Sequence, residues 1–66
     1  MTRGDIRRFV EGASVERVRQ VLDDLEKLKR HVPPSAFADA EARFLLDLRD
    51  HEEFFRTLAD AKLQAG

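Results

Sequence analysis

The chain has 66 residues, no cysteine, 12 Lys and Arg against 13 Asp and Glu, and a formal net charge of −1. The missing cysteine excludes disulfides and thiolate metal sites, the balanced charge excludes a global field for nucleic acid, and the length leaves little room for an enclosed pocket. A chain this short buries only about 60% of its unfolded surface, so it needs very regular packing, oligomerisation or a partner.

With 42% hydrophobic and 38% charged residues, the composition suits an all-α bundle better than a disordered tail. No apolar stretch approaches the roughly 18 residues of a membrane span, and no secretory hydrophobic region opens the sequence. The expected setting is the cytoplasm of a bacterium or phage, without a membrane partner. Residues 1–31 hold eight Lys/Arg and six Asp/Glu, and residues 32–66 hold four and seven. This modest asymmetry fits complementary packing of ordinary solvated faces.

A first helix is expected over about 3–11. Thr2 and Asp5 fit a capping box, in which hydroxyl and carboxylate exchange bonds with each other's backbone N–H. Arg3-Gly4-Asp5 therefore reads as a helix start. Ile6, Phe9 and Val10 form the apolar face, and Gly12 should end the helix in the left-handed cap conformation.

Ser14 is a suitable N-cap for a second helix over 15–31. Val15, Val18, Val21, Leu22, Leu25, Leu28 and Val32 recur at helical spacing and make an amphipathic stripe. Lys27, Lys29 and Arg30 lie where they suit the helix dipole. Val32-Pro33-Pro34 stops the helix, because a residue before proline is pushed out of the α region.

Ser35 should cap a third, long helix over 36–63, free of Gly and Pro. Phe37, Phe44, Leu48, Phe55 and Leu58 form its centre line. Leu45 and Leu63 widen one side and Phe54 the other, giving an apolar arc of about 180°, more than one neighbouring helix requires. Leu46 faces the opposite way. The second helix would span roughly 26 Å and the third roughly 42 Å. Joined by a short Pro-Pro link, the two should form an antiparallel hairpin, with Val15 near residue 52. Phe54, Phe55, Leu58 and Leu63 then overhang. The first helix, from the same chain or a second copy, is the expected cover. The expected interface is Ile6, Phe9, Phe54, Phe55 and Leu58, with Ala61 beside it, in a homodimeric bundle or against another protein.

His51 lies inside the apolar arc with Asp47 four residues earlier. A partly buried histidine bonded to Asp47 or backbone is the plain reading, and a pH-sensitive interface the sharper one. Only His31 and His51 are available as imidazole ligands, and carboxylates 50, 52 and 53 fan apart, so no metal site is expected. Ser14, Ser35 and Thr2 read as caps, Thr57 stands alone, and no glycine-rich phosphate loop is present. No enzyme activity and no cofactor are expected. Arg3, Arg7 and Arg8, with Arg17 and Arg19, are candidate contacts for phosphate or an acidic partner. No aromatic residue interleaves with them for base stacking.

The segment from Ser14 to Leu48 resembles the Hha/YmoA family of small helical modulators of bacterial nucleoid-structuring proteins. Ser14-Val15-Glu16, then Val18, Val21, Leu22, Phe37, Ala40, Leu45 and Leu48, stand at that family's spacing, and Thr2-Arg3-Gly4-Asp5 is similar to its opening. Glu41, Ala42 and Arg43 occupy the place of its acidic-histidine signature, and no site residue is carried over. Leu25-Glu26-Lys27-Leu28 and Leu48-Arg49-Asp50-His51 resemble the two helices of Rop, the RNA-binding hairpin that dimerises into a four-helix bundle. Both resemblances imply a small helical regulator without catalysis. The leading expectation is thus a regulatory or adaptor protein acting through a helical protein surface. The alternatives are a nucleic-acid-associated modulator using the N-terminal arginines, and an antitoxin or phage-type inhibitor.

Overall fold

A computed structural model describes residues 1–65, whose regular structure is entirely helical. Four α-helices follow in order: α1 (Arg3–Gly12), α2 (Val15–Lys29), α3 (Asp39–Asp50) and α4 (Glu52–Ala65), with a 3-10 turn at Pro34–Ala36. Among the described residues, no helix is long and apolar enough to cross a membrane.

The starts of α1 and α2 follow from their caps. The Asp5 N–H donates to Thr2 Oγ1 at 3.2 Å and the Thr2 N–H to Asp5 Oδ2 at 3.0 Å. The Ser14 hydroxyl oxygen accepts from the Arg17 N–H at 3.1 Å. The end of α1 differs from expectation. Gly12 stays helical rather than left-handed, and the chain leaves extended at Ala13 (φ −82°, ψ 153°). No basic residue lies in the last turn of α1. Lys62 of α4 supplies the missing cation: its Nζ donates to the carbonyls of Val10 (2.6 Å), Glu11 (3.2 Å) and Ala13.

α2 stops at Lys29, two residues before the expected end. His31 turns into the left-handed region at φ 65°. Its N–H bonds the Leu28 carbonyl at 3.2 Å, and the Val32 N–H reaches the Lys27 carbonyl at 3.4 Å. These paired bonds are a Schellman motif, which closes the helix before the prolines act. Ser35 caps nothing, because it lies inside the 3-10 turn. Ala38 stands at the N-cap of α3 without a side-chain bond.

The single helix expected over 36–63 is two helices. His51 sits at φ −124°, ψ 29°, in the sparsely allowed bridge region. Its N–H bonds Leu48 and its carbonyl accepts from Phe55, each at 2.9 Å. An unbroken helix of that length would extend roughly 42 Å, whereas the longest dimension of the molecule is 32 Å. The break returns Phe55 and Ala59 to the core that holds Leu45 and Leu48. Glu52 and Glu53 suit the new helix start, where carboxylates meet the positive dipole end.

The antiparallel hairpin is also overturned. Arg17, early in α2, lies 3.9 Å from Glu41 in the first turn of α3. Lys29, at the end of α2, bonds Glu52 just beyond α3 at 2.9 Å. Residues 30–38 therefore carry the chain back, and α3 runs in the same general sense as α2. Val15 is not opposite residue 52. α4 then returns antiparallel to α2, joined by Lys29–Glu52 and Glu26–Arg56. α1 lies parallel to α4, with Arg3 over Phe54 at one end and Lys62 under the last carbonyls of α1 at the other.

Candidate docking surface

The inner face of α4 is Phe55 and Ala59, and both are 0% exposed. Phe54, Leu58 and Ala61 follow at helical spacing on the neighbouring face. Phe54 and Leu58 are half-buried and Ala61 is exposed. α1 forms a wall beside this stripe. Arg3, Gly4, Arg7 and Phe54 line one depression of about 330 Å³. Arg7, Val10, Glu11, Leu58, Ala61 and Lys62 line a second of about 400 Å³. Arg7 lines both, so the two depressions adjoin along the seam of the two parallel helices, the α1/α4 groove.

The Arg3 guanidinium lies 5.3 Å from the Phe54 ring centre, within the range of a cation–π contact. Arg7 has no ion-pair partner among the described residues. Arg8 is exposed and only 3.9 Å from Asp5, a geometry that contributes little. The three arginines thus share the exposed side of α1 without converging on one point.

Five residues were expected at the interface, and the structure divides them. Ile6 and Phe55 are 0% exposed within the single chain, so they belong to the core and not to an interface. The reason is the parallel docking of α1, which covers the overhang from within. Phe9 is half-buried. It meets Phe44 edge-on at 4.9 Å between ring centres and Phe55 at 6.4 Å, cementing three helices. Only Phe54 and Leu58 keep part of their surface in the groove. Leu46 is 41% exposed on the far side of α3.

At the α3–α4 break, Arg3, Asp50, His51, Glu52, Glu53, Phe54 and Thr57 line an open cleft of about 440 Å³. Glu52 is already engaged, accepting from Lys29 at 2.9 Å and from Arg56 at 2.8 Å. Its bond to Lys29, and then that to Arg56, hold its carboxyl below the usual range. His51 is half-buried and makes no side-chain hydrogen bond to Asp47 among the described residues. No group of three or more His, Asp or Glu side chains could hold a metal ion among those residues.

Two features escaped the sequence reading. One is the clasp of Lys62, which depends on α1 and α4 being parallel. The other is Asp24, only 6% exposed on α2, accepting from Gln20 Nε2 at 3.0 Å. Glu41 of α3 meets it, and their shared hydrogen bond, more than desolvation, pushes the Glu41 carboxyl above its ordinary value. The position of Asp24 beside Leu28 on the helical wheel was the available signal. No family model, curated protein or solved structure matches this chain.

Proposed function

We propose that this chain is a non-enzymatic regulatory or adaptor protein that docks a protein segment along the α1/α4 groove. The partly exposed pair Phe54 and Leu58, lying in line beside the arginine-bearing wall of α1, carries this reading. A fully buried Phe side chain contributes roughly 1.5–3 kcal/mol, and Phe54 has part of that still to gain. The groove is shallow and open, which suits a helix face better than a small substrate. A second copy of the chain and an unrelated protein are both able to use such a groove.

The test is a matched pair of variants. Phe54→Ala should weaken self-association, or capture of a partner, by roughly ten-fold or more, whereas Leu46→Ala should leave it unchanged. Equal effects would remove the groove from consideration. A second reading, a nucleic-acid-associated modulator, draws on the exposed arginines Arg3, Arg7 and Arg8 of α1. It requires binding that falls steeply with salt, and no binding at low salt would end it.

A further inference from the structure

We infer that the occupant of the α1/α4 groove is a second copy of this chain, related by a two-fold axis running along the groove. This inference rests on the docking reading above and names the partner. The α1 edge carries Arg3 and Arg7, both exposed and without an ion-pair partner among the described residues. The outer edge of α4, on the far side of the stripe, carries Glu53, Thr57, Asp60 and Gln64 at helical spacing, all exposed. Glu53 and Asp60 likewise have no ion-pair partner among the described residues. The apolar stripe therefore runs between a cationic edge and an acidic one.

That arrangement selects the partner. A uniformly acidic segment would meet Arg3 and Arg7 on one side and Glu53 and Asp60 on the other. A uniformly basic segment would meet the reverse conflict. A second copy is itself bipolar, and symmetry fixes how it must lie. A two-fold axis across the groove would set arginine edge against arginine edge. An axis along the groove lays the arginine edge of each copy over the acidic edge of the other, with the Phe54–Leu58–Ala61 stripes facing. Two-fold interfaces are self-complementary in this sense.

The pairing is uneven along its length. At the Phe54 end, Arg3 of one copy faces Glu53 of the other. At the Lys62 end, Glu11 stands on the α1 edge and would approach the other copy's Asp60. Lys62 offers no relief there, because the last carbonyls of α1 already hold it. The dimer is thus attracted at one end and repelled at the other, and this gives the test a signed prediction.

Sedimentation equilibrium of the full chain over a range of concentrations reads it directly. The wild type should reach twice its mass of 7.6 kDa. Arg3→Glu and Glu53→Arg should each weaken the dimer roughly ten-fold, because each turns two symmetry-related attractions into repulsions. The double variant should restore it. Glu11→Lys should tighten it several-fold. Helical circular dichroism and thermal melts confirm that each variant is folded. A wild type still monomeric near 1 mM would overturn the inference, as would a dimer blind to the charge swap or weakened by Glu11→Lys. The docking reading fails separately, when neither self-association nor partner capture responds to Phe54→Ala. A folded monomer that still captures a partner through Phe54 refutes the second copy and leaves that reading standing.

Discussion

Lys62→Met isolates the clasp between the two ends of the chain. Methionine keeps the unbranched apolar stem of Lys62 and removes the ammonium, so packing changes little while the carbonyls of Val10, Glu11 and Ala13 lose their donor. Hydrogen bonds to a charged group contribute roughly 1.5–3 kcal/mol each when buried, and a cation at a helix C-terminus roughly 0.3–1 kcal/mol. These gains overlap, and the half-buried position of Lys62 lets water replace part of the loss. The expected destabilisation is therefore about 2 kcal/mol. A domain of this size holds roughly 3–10 kcal/mol in total, at about 0.05–0.15 kcal/mol per residue, so the effect is large. Urea unfolding followed by circular dichroism measures it, with Lys27→Met as control, because the exposed Lys27–Asp23 pair at 3.1 Å contributes under about 0.5 kcal/mol. Amide exchange should quicken in α1 more than in α2. If Lys62→Met and Lys27→Met unfold at the same urea concentration, the clasp contributes nothing and the reasoning is refuted.

Three further outcomes follow from local geometry. Ala38→Asp places a side-chain acceptor at the uncapped start of α3 and should stabilise the chain by about 1 kcal/mol in urea unfolding. His31→Gly relieves a left-handed residue, at about 1–2 kcal/mol, against roughly 0.5–1 kcal/mol of added unfolded-state freedom. A small rise in Tm is expected, and a fall would show that the His31 side chain contributes packing. For Glu41, the hydrogen bond with Asp24 raises the folded pKa above the ordinary 4.5, so the folded chain binds that proton more tightly than the unfolded one. Its stabilisation is complete below the unfolded value and is lost as pH rises through the folded value. Glu41→Gln keeps a neutral side chain with a bond donor at every pH. Its melting temperature should exceed the wild type's at neutral pH and meet it in acid, and a gap that stays constant with pH would refute the assignment.

The helical class, the caps at Thr2 and Ser14 and most of the core were legible in the sequence, because each is a local or periodic signal. Capping boxes need only residues three apart, and Val18, Val21, Leu25 and Leu28 declare a buried stripe by spacing alone. The break at His51 was not legible. No glycine or proline marks it, and Leu48, Phe55 and Leu58 stay in phase across it, so the pattern reads as one helix. Only the size of the folded molecule forbids that helix, and size is a tertiary property. The direction of α3 was hidden for a related reason. The pattern does not reveal that the His31 turn and residues 30–38 carry the chain back along α2. The candidate site was half legible: an unfilled arc on α4 was evident, but its sharing out between the core (Ile6, Phe55) and the surface (Phe54, Leu58) depended on α1 lying parallel to α4.

That parallel placement also bears on how the chain comes to be folded. α1 packs chiefly on α4, and the Lys62 bonds join residues 49 to 52 positions apart. α1 thus leaves the ribosome before α4, its main docking site. Ile6, Phe9 and Val10 must wait in the open while α2 and α3 emerge, and closing so long a loop delays the final step. During synthesis the apolar side of α1 is thus the surface most open to wrong partners, and a chain cut short before Lys62 emerges would leave it without its clasp.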